Sequence, residues 1–269
     1  MPLVTAITTC KGRLEHLKQT LPALMASPGL EVVVVDYDCP DGAGDWARAT
    51  WPAAKVVSVS DRPWYNRSDA NNLGAAVATG DWLFFADADV RIAEGFMQTV
   101  QPLLRPGVFL LADPRPAELW GALFVSRRDF EAIGGFDEAM QGYGSEDVDL
   151  LARLMMAGVR EASFPSRGFG VIPHDQAVRT RFHEIADIAL SGSINGFYRT
   201  AKNDLARQGV LLDLAGRRKL YADVVNAFAA PGGIETFQIG FRRSLVPGLT
   251  VNAALRYDLT PTDTSKLGD

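Results

Sequence analysis

Gly80-Asp81-Trp82-Leu83-Phe84-Phe85-Ala86-Asp87-Ala88-Asp89-Val90 is a short apolar run that ends on two carboxylates one residue apart. A run of that length, introduced by glycine, reads as a buried strand. In an open parallel sheet the ligand crevice lies outside the carboxyl ends of the strands, so the acids stand where chemistry is usually done. Side chains at i and i+2 of an extended segment point the same way, which lets Asp87 and Asp89 converge on one hard cation, directly or through its waters. That arrangement suits a magnesium or manganese ion holding a diphosphate.

Upstream, Leu3 to Thr8 and Glu31 to Asp36 are further buried strands, the second almost pure valine. Between them, Arg13 to Met25 carries Leu14, Leu17, Leu21, Leu24 and Met25 at helical spacing. A helix from about Gly44 to Thr50, a strand near Lys55 to Val59, and a helix entered through Tyr65-Asn66-Arg67 and running to Ala78 complete an alternation of strands and helices. That alternation predicts a parallel sheet. Asp36 ends its strand on the same edge as Asp87 and Asp89, where it either meets a nucleoside or caps the following turn. Arg67 suits a phosphate clamp, a support for the Asp87 site, or a surface ion pair worth under about 1 kcal/mol. Asn71 and Asn72 are poor helix formers, and one of them is expected to make specific hydrogen bonds inside the fold.

Downstream, the sequence predicts a helix over Phe96 to Leu104, strands at Val108 to Leu111 and Leu119 to Ser126, and a short helix from Arg127 to Ile133. A second acidic cluster follows in Gly142-Tyr143-Gly144-Ser145-Glu146-Asp147-Val148-Asp149. Leu150, Leu151, Leu154 and Met155 mark a helix starting near Glu146, with Ser145 as its cap. Acids there complement a helix dipole for about 0.3 to 1 kcal/mol each. Two glycines and a tyrosine also put them at a loop tip, where a carboxylate can take a proton from a hydroxyl. From about Ile185 the chain reads as helical, to Gln208 and again from Arg217 to Phe228, and Leu259 to Asp269 reads as a frayed tail.

The chain has 269 residues, 47% of them hydrophobic and 22% charged, enough for one large α/β domain with an appendage. A formal net charge of -5 argues against broad nucleic-acid binding. An anionic substrate then needs a local cation. Cys10 and Cys39 follow neighbouring strands and are expected as free thiols. The start, Met1-Pro2-Leu3-Val4, enters a strand with no basic or long apolar leader, and no run approaches a membrane span of roughly 20 residues, so a soluble, cytoplasmic protein is expected.

Four features in order carry a resemblance: Val35-Asp36, Tyr65-Asn66-Arg67 through Asn72-x-Gly74, Asp87-Ala88-Asp89, and Gly142-Tyr143-Gly144-Ser145-Glu146-Asp147. With these the chain resembles the nucleotide-diphospho-sugar glycosyltransferases of the GT-A fold. The likeness is to family 2 and to the β-1,4-galactosyltransferase and chondroitin-polymerase type, over most of residues 3 to 200. It implies a Rossmann-like, mostly parallel sheet flanked by helices in a catalytic domain of residues 1–200, with a helical extension and tail over 201–269. It also implies inverting transfer from a UDP-sugar to a hydroxyl of a saccharide or other acceptor with Mn2+ or Mg2+. On the donor side it places Thr8, Arg13, Asp36, Arg67 and Asp87. Asp89, with Asp87 and His174, would hold the metal, and His183 stands in reserve. Asp147 matches the general base and Glu146 the residue that holds the acceptor hydroxyls. Tyr143 falls where the galactosyltransferases often carry a tryptophan that stacks on the acceptor. A phosphatase of the haloacid dehalogenase type, a nucleotidyltransferase and a non-catalytic nucleotide-sugar-binding module are the competing readings.

Overall fold

The computed structural model describes residues 3–115, 119–173, 175–229, 235–246 and 249–259. In chain order the first unit runs β1 (Val4–Cys10), α1 (Leu14–Met25), β2 (Leu30–Tyr37), α2 (Ala43–Thr50), β3 (Lys55–Val59), α3 (Arg67–Ala76), β4 (Trp82–Phe85), β5 (Val90–Ile92), α4 (Phe96–Val100), β6 (Val108–Asp113), β7 (Leu123–Ser126), α5 (Arg127–Ala132), α6 (Glu146–Met156), β8 (Arg160–Pro165), β9 (Phe169–Val171) and α7 (Gln176–Thr180). Seven strands form one sheet in the order β3-β2-β1-β4-β7-β6-β8. β7 runs against both neighbours, and the other pairings are parallel. The mostly parallel sheet flanked by helices is thus present as expected.

Strand β4 and the middle of β2 are continuous apolar runs because both faces are covered. Alternation sends Phe84 to one core with Leu17, Leu21, Leu24 and Phe96, and Phe85 to the other with Ala70, Phe130, Leu150 and Leu154. Helix α3 lies close on the sheet at Gly74, where a Cβ would strike Ile7 Cγ2 and stand 3.0 Å from Val35 Cγ2. The chain travels outward from β1 through β2 to β3, then returns to lay β4 on the other side of β1. This reversal opens a crevice beyond the ends of β1 and β4.

Three elements differ from the sequence reading. The strand expected from Leu119 begins only at Leu123, because residues 119–122 form a turn closed by Ala122 N–H to Leu119 O at 3.1 Å. The helix expected to reach Leu104 is α-helical only to Val100 and continues as a 3₁₀ turn, Gln101–Leu103, containing Pro102. Asp87 and Asp89 are not on an extended strand: β4 ends at Phe85, and a turn closed by Val90 N–H to Asp87 O, 2.9 Å, carries the pair.

The described residues divide into two compact units, 1–191 and 192–269, with the boundary inside α8 (Ile188–Arg207); the boundary expected after residue 200 falls in the same helix. The second unit continues with α9 (Leu214–Ala229), as the apolar spacing predicts. It then departs from an all-helical extension, because β10 (Thr236–Val246) and β11 (Leu249–Asp258) form an antiparallel hairpin. Phe237, Ile239 and Phe241 alternate with Gln238, Gly240 and Arg242, a period of two that fits a strand. The Phe197 ring anchors the hairpin, 5.2 Å from Phe237 and 5.1 Å from Tyr257. The tail beyond Leu259 lies outside the described residues. Among these no helix is long and apolar enough to cross a membrane. Cys10 and Cys39 are free thiols.

Candidate active site

A cavity of about 450 Å³ opens at the β1/β4 crevice. Thr9, Lys11 and Arg13 come to it from the end of β1, Tyr65 and Arg67 from the start of α3, and Asp87 and Asp89 from the turn after β4. Gly121, Tyr143, Glu146, Asp147 and His183 close the other side. The two acidic motifs, far apart in sequence, meet at one cavity.

Arg67 joins them. Its Nε lies 3.1 Å from Asp87 Oδ1, and its Nη1 lies 2.5 Å from Asp147 Oδ1 and 3.3 Å from Glu146 Oε1. The guanidinium is held at the first position of α3. Asn66 caps that helix by accepting from Asp69 N–H at 3.0 Å, and donates in turn to Glu138 O at 3.0 Å. Asn72 makes the hydrogen bonds expected of one of the two asparagines, accepting from Phe136 N–H at 2.9 Å and donating to Phe136 O at 3.0 Å. Arg13 Nη1 stands 3.1 Å from Asp89 Oδ2. Each carboxylate of the Asp-x-Asp pair therefore meets its own arginine.

Glycine at 142 and 144 and Ser145 all take positive φ, which turns the chain sharply into α6. Ser145 occupies the N-cap position at φ 73° but makes no side-chain capping bond, contrary to expectation. Its left-handed backbone serves instead to aim Glu146 and Asp147 into the cavity. Asp149 parts company with them: it is fully buried and bound 2.8 Å from Arg153 Nε, and Arg153 also donates to Ile133 O and Gly135 O. One acid of the cluster is structural, and two face the cavity.

Burial governs the charges here. It pushes Glu146 up to about 7, with help from the Asp147 charge and against the pull of Arg67. It raises Asp147 as well, where Arg67 is the main opposing influence. The three carboxylates overcome the burial of Arg67 and hold its pKa well above normal. Burial, then the Arg13 charge, lowers His183 to about 4, so its imidazole is neutral at pH 7. Its Nδ1 is buried with no hydrogen-bond partner among the described residues.

Other expected positions fall as follows. Asp36 is committed to the backbone, accepting from Cys39 N–H and Gly44 N–H, each at 2.9 Å. Thr8 is buried, whereas its neighbour Thr9 faces the cavity and shares a 2.5 Å hydrogen bond with the Tyr65 hydroxyl. The hydroxyl of Tyr143 accepts from Arg179 Nη1 at 3.1 Å. His174 lies outside the described residues. Lys11, Trp120 and Phe182 line the cavity without having been singled out in the sequence. Trp120 is 42% exposed, a large apolar ring left open beside the acids, with Arg115 stacked 4.1 Å from its centroid.

Gly121 is a close-approach glycine. A Cβ there would collide with Arg67 Nη2 and lie 2.9 Å from Asp87 Oδ2. Arg67 is pinned by three carboxylates and has little room to yield. Gly121→Ala is therefore expected to cut turnover by up to about 10²-fold through misplacement, with the fold retained by circular dichroism.

For a metal, Asp87 and Asp89 offer hard oxygen donors to the cavity, and the unpartnered His183 nitrogen stands in its wall. Among the described residues no three such groups are placed to enclose an ion. Two carboxylates with substrate phosphates nevertheless suffice for a magnesium-type site. The donor set fits.

The sequence profile of glycosyl transferase family 2 matches residues 5–136, and that of the N-terminal domain of galactosyltransferase matches 114–176, together spanning both acidic motifs. The chain is a family-2-like glycosyltransferase of the GT-A fold. This glycosyltransferase is 26% identical over 152 residues to human chondroitin sulfate synthase 3 and 24% over 155 residues to the mouse protein. The match covers 45% of this chain and 17% of the human synthase. Among solved structures, the mannosyltransferase PcManGT from Pyrobaculum calidifontis, in complex with GDP-Man and Mn2+, superposes with a TM-score of 0.57 at 21% identity. That match covers 87% of this chain and 76% of that one. The catalytic domain of Drosophila β1,4-galactosyltransferase 7, in complex with xylobiose, gives 0.51 at 17% identity, covering 69% and 76%. Both matches support the GT-A architecture. The family assignment displaces the phosphatase and nucleotidyltransferase readings.

Proposed function

We propose that this glycosyltransferase transfers a sugar from a UDP-sugar to a hydroxyl of a saccharide acceptor, with inversion at the anomeric carbon and with a divalent cation. The observation that carries the reading is the meeting of Asp87 and Asp89 with Glu146 and Asp147 at one cavity, across Arg67.

Asp89 and Asp87 would hold Mn2+ or Mg2+ together with the diphosphate, with His183 or His174 able to add a nitrogen donor. Such an ion, when bound, neutralises the negative charge that develops on the departing nucleoside diphosphate. Arg13, beside Asp89, is within reach of the same phosphates. Asp147 takes the proton of the acceptor hydroxyl. Its raised pKa makes it a stronger base than an exposed aspartate, and Arg67 is the main influence opposing that rise. Glu146 binds the acceptor hydroxyls, and Tyr143 flanks them. Attack from the face opposite the leaving group inverts the anomeric centre in one displacement.

Calorimetric titration of UDP and GDP, each with and without Mn2+, tests the donor half. UDP binding should require the metal and fall at least about tenfold in Asp89→Ala. Nucleotide binding indifferent to both metal and Asp89 would remove the proposed donor site. A clear preference for GDP would replace the uridine assignment.

A further inference from the structure

Beyond sugar transfer, we propose that Cys10 and Cys39 form a redox-modification site whose substrate is a peroxide, with Cys39 as the attacking sulfur and Cys10 as the resolving one. The two sulfurs are 3.9 Å apart, close enough that a change of rotamer brings them to the bonding distance of about 2.0 Å. Access is unequal. Cys10, at the end of β1, is completely buried, and Cys39, in the loop between β2 and α2, is only half-buried.

The surroundings of Cys39 favour a thiolate. The Cys10 thiol is placed to donate to it, and Gly12 N–H donates to its sulfur at 3.2 Å. Further backbone N–H groups, of Asp41 and Ala43, point the same way at the entrance to α2. These donors, the Cys10 thiol first, bring Cys39 down to about 6 against the opposing effect of burial, whereas the bond to Cys39, and then burial, push Cys10 up. A low-pKa, accessible thiol beside a second cysteine is the arrangement that peroxide oxidation selects.

The chemistry balances in two steps. The Cys39 thiolate attacks one peroxide oxygen: an S–O bond forms, the O–O bond breaks, and for hydrogen peroxide the leaving hydroxide takes a proton to become water. The Cys10 sulfur then attacks the Cys39 sulfenic acid: the S–S bond forms, the S–O bond breaks, and the Cys10 proton leaves with the hydroxyl as a second water. Two thiols are oxidised to one disulfide as one peroxide is reduced to two waters. The bond would tie the end of β1 to the loop after β2. Lys11, the residue next to Cys10, already binds Asp38 O at 2.8 Å and Arg62 O at 2.7 Å, so the closure falls beside the cavity wall.

Intact-mass spectrometry of the folded wild type after hydrogen peroxide, with alkylation in denaturant, tests this. The expected product is a monomer lighter by two hydrogens, with neither cysteine alkylated and both restored by dithiothreitol. Cys10→Ser should accumulate a Cys39 sulfenic acid that a dimedone-type reagent captures, and Cys39→Ser should leave Cys10 unoxidised at the same dose. Two alkylatable thiols in treated wild type, or Cys39→Ser oxidised as fast as wild type, would overturn the proposal. The wild-type measurement needs no variant to fold, and none of these readouts needs a sugar donor, so the result is independent of the transfer reaction proposed above.

Discussion

Asp147→Asn lowers sugar transfer by about 10² to 10⁴-fold and leaves nucleotide affinity close to wild type. The amide keeps the shape of the side chain at the start of α6 but has no basic lone pair for the acceptor proton. The carboxylates expected to engage the donor, Asp87 and Asp89, are not themselves altered, and Arg67 keeps its ion pairs with Asp87 and Glu146. Initial-rate kinetics beside calorimetry separate the two effects. Turnover within threefold of wild type would eliminate Asp147 as the base and turn attention to Glu146.

Arg67→Met destabilises the folded protein by about 3 to 5 kcal/mol, because it leaves Asp87, Glu146 and Asp147 without their shared counter-charge. The side chain of Arg67 is only 11% exposed, so water replaces little of what is lost. The deficit depends on pH, with a definite sign. A carboxyl whose folded pKa lies above its unfolded value binds more protons in the folded state, so stability falls as pH rises from the unfolded pKa through the folded one. For Glu146 in the wild type that window runs from about 4.5 to about 7. Removing Arg67 raises both Glu146 and Asp147 further, which makes the fall steeper and carries it to higher pH. Urea denaturation should therefore show a larger deficit at pH 8 than at pH 5. A deficit independent of pH would mean that Arg67 acts through packing alone.

Much of this architecture was legible in the sequence, for a physical reason. Strands covered on both faces are apolar over most of their length, so β2 and β4 stand out as runs, and the acids just beyond β4 stand out against them. Glu146 and Asp147 were legible because two glycines precede a helical stripe. What escaped depends on partners distant in sequence. Whether Thr8 or Thr9 faces the crevice is a matter of strand parity, which only the register fixes. Asp36 has the residue type of a ligand contact and of a cap alike, and the nearby N–H groups of Cys39 and Gly44 engage it. Nothing local to Asp149 distinguishes it from Asp147; the difference lies in Arg153, one turn further along α6, which faces the interior. Trp120 reads as the start of a strand until the turn at residues 119–122 is seen. The hairpin of the second unit was obscured by a glycine in one strand and a long helical prelude.

The antiparallel seam between β4 and β7 has a bearing on how such an enzyme can change its substrates. One side of the seam carries β1 to β4 and the acids proposed to grip the donor; the other leads through α5 to the loop and helix that present Asp147. The seam is held by main-chain pairing from Trp82 opposite Ser126 to Phe85 opposite Leu123, and by the parallel stack of Phe84 on Phe124 at 4.1 Å. None of these contacts involves the loop residues that would meet an acceptor. Recombination or point change beyond the seam that spares Gly121, Glu146 and Asp147 around Arg67 would thus retune what is glycosylated while the machinery proposed to handle the activated sugar is kept.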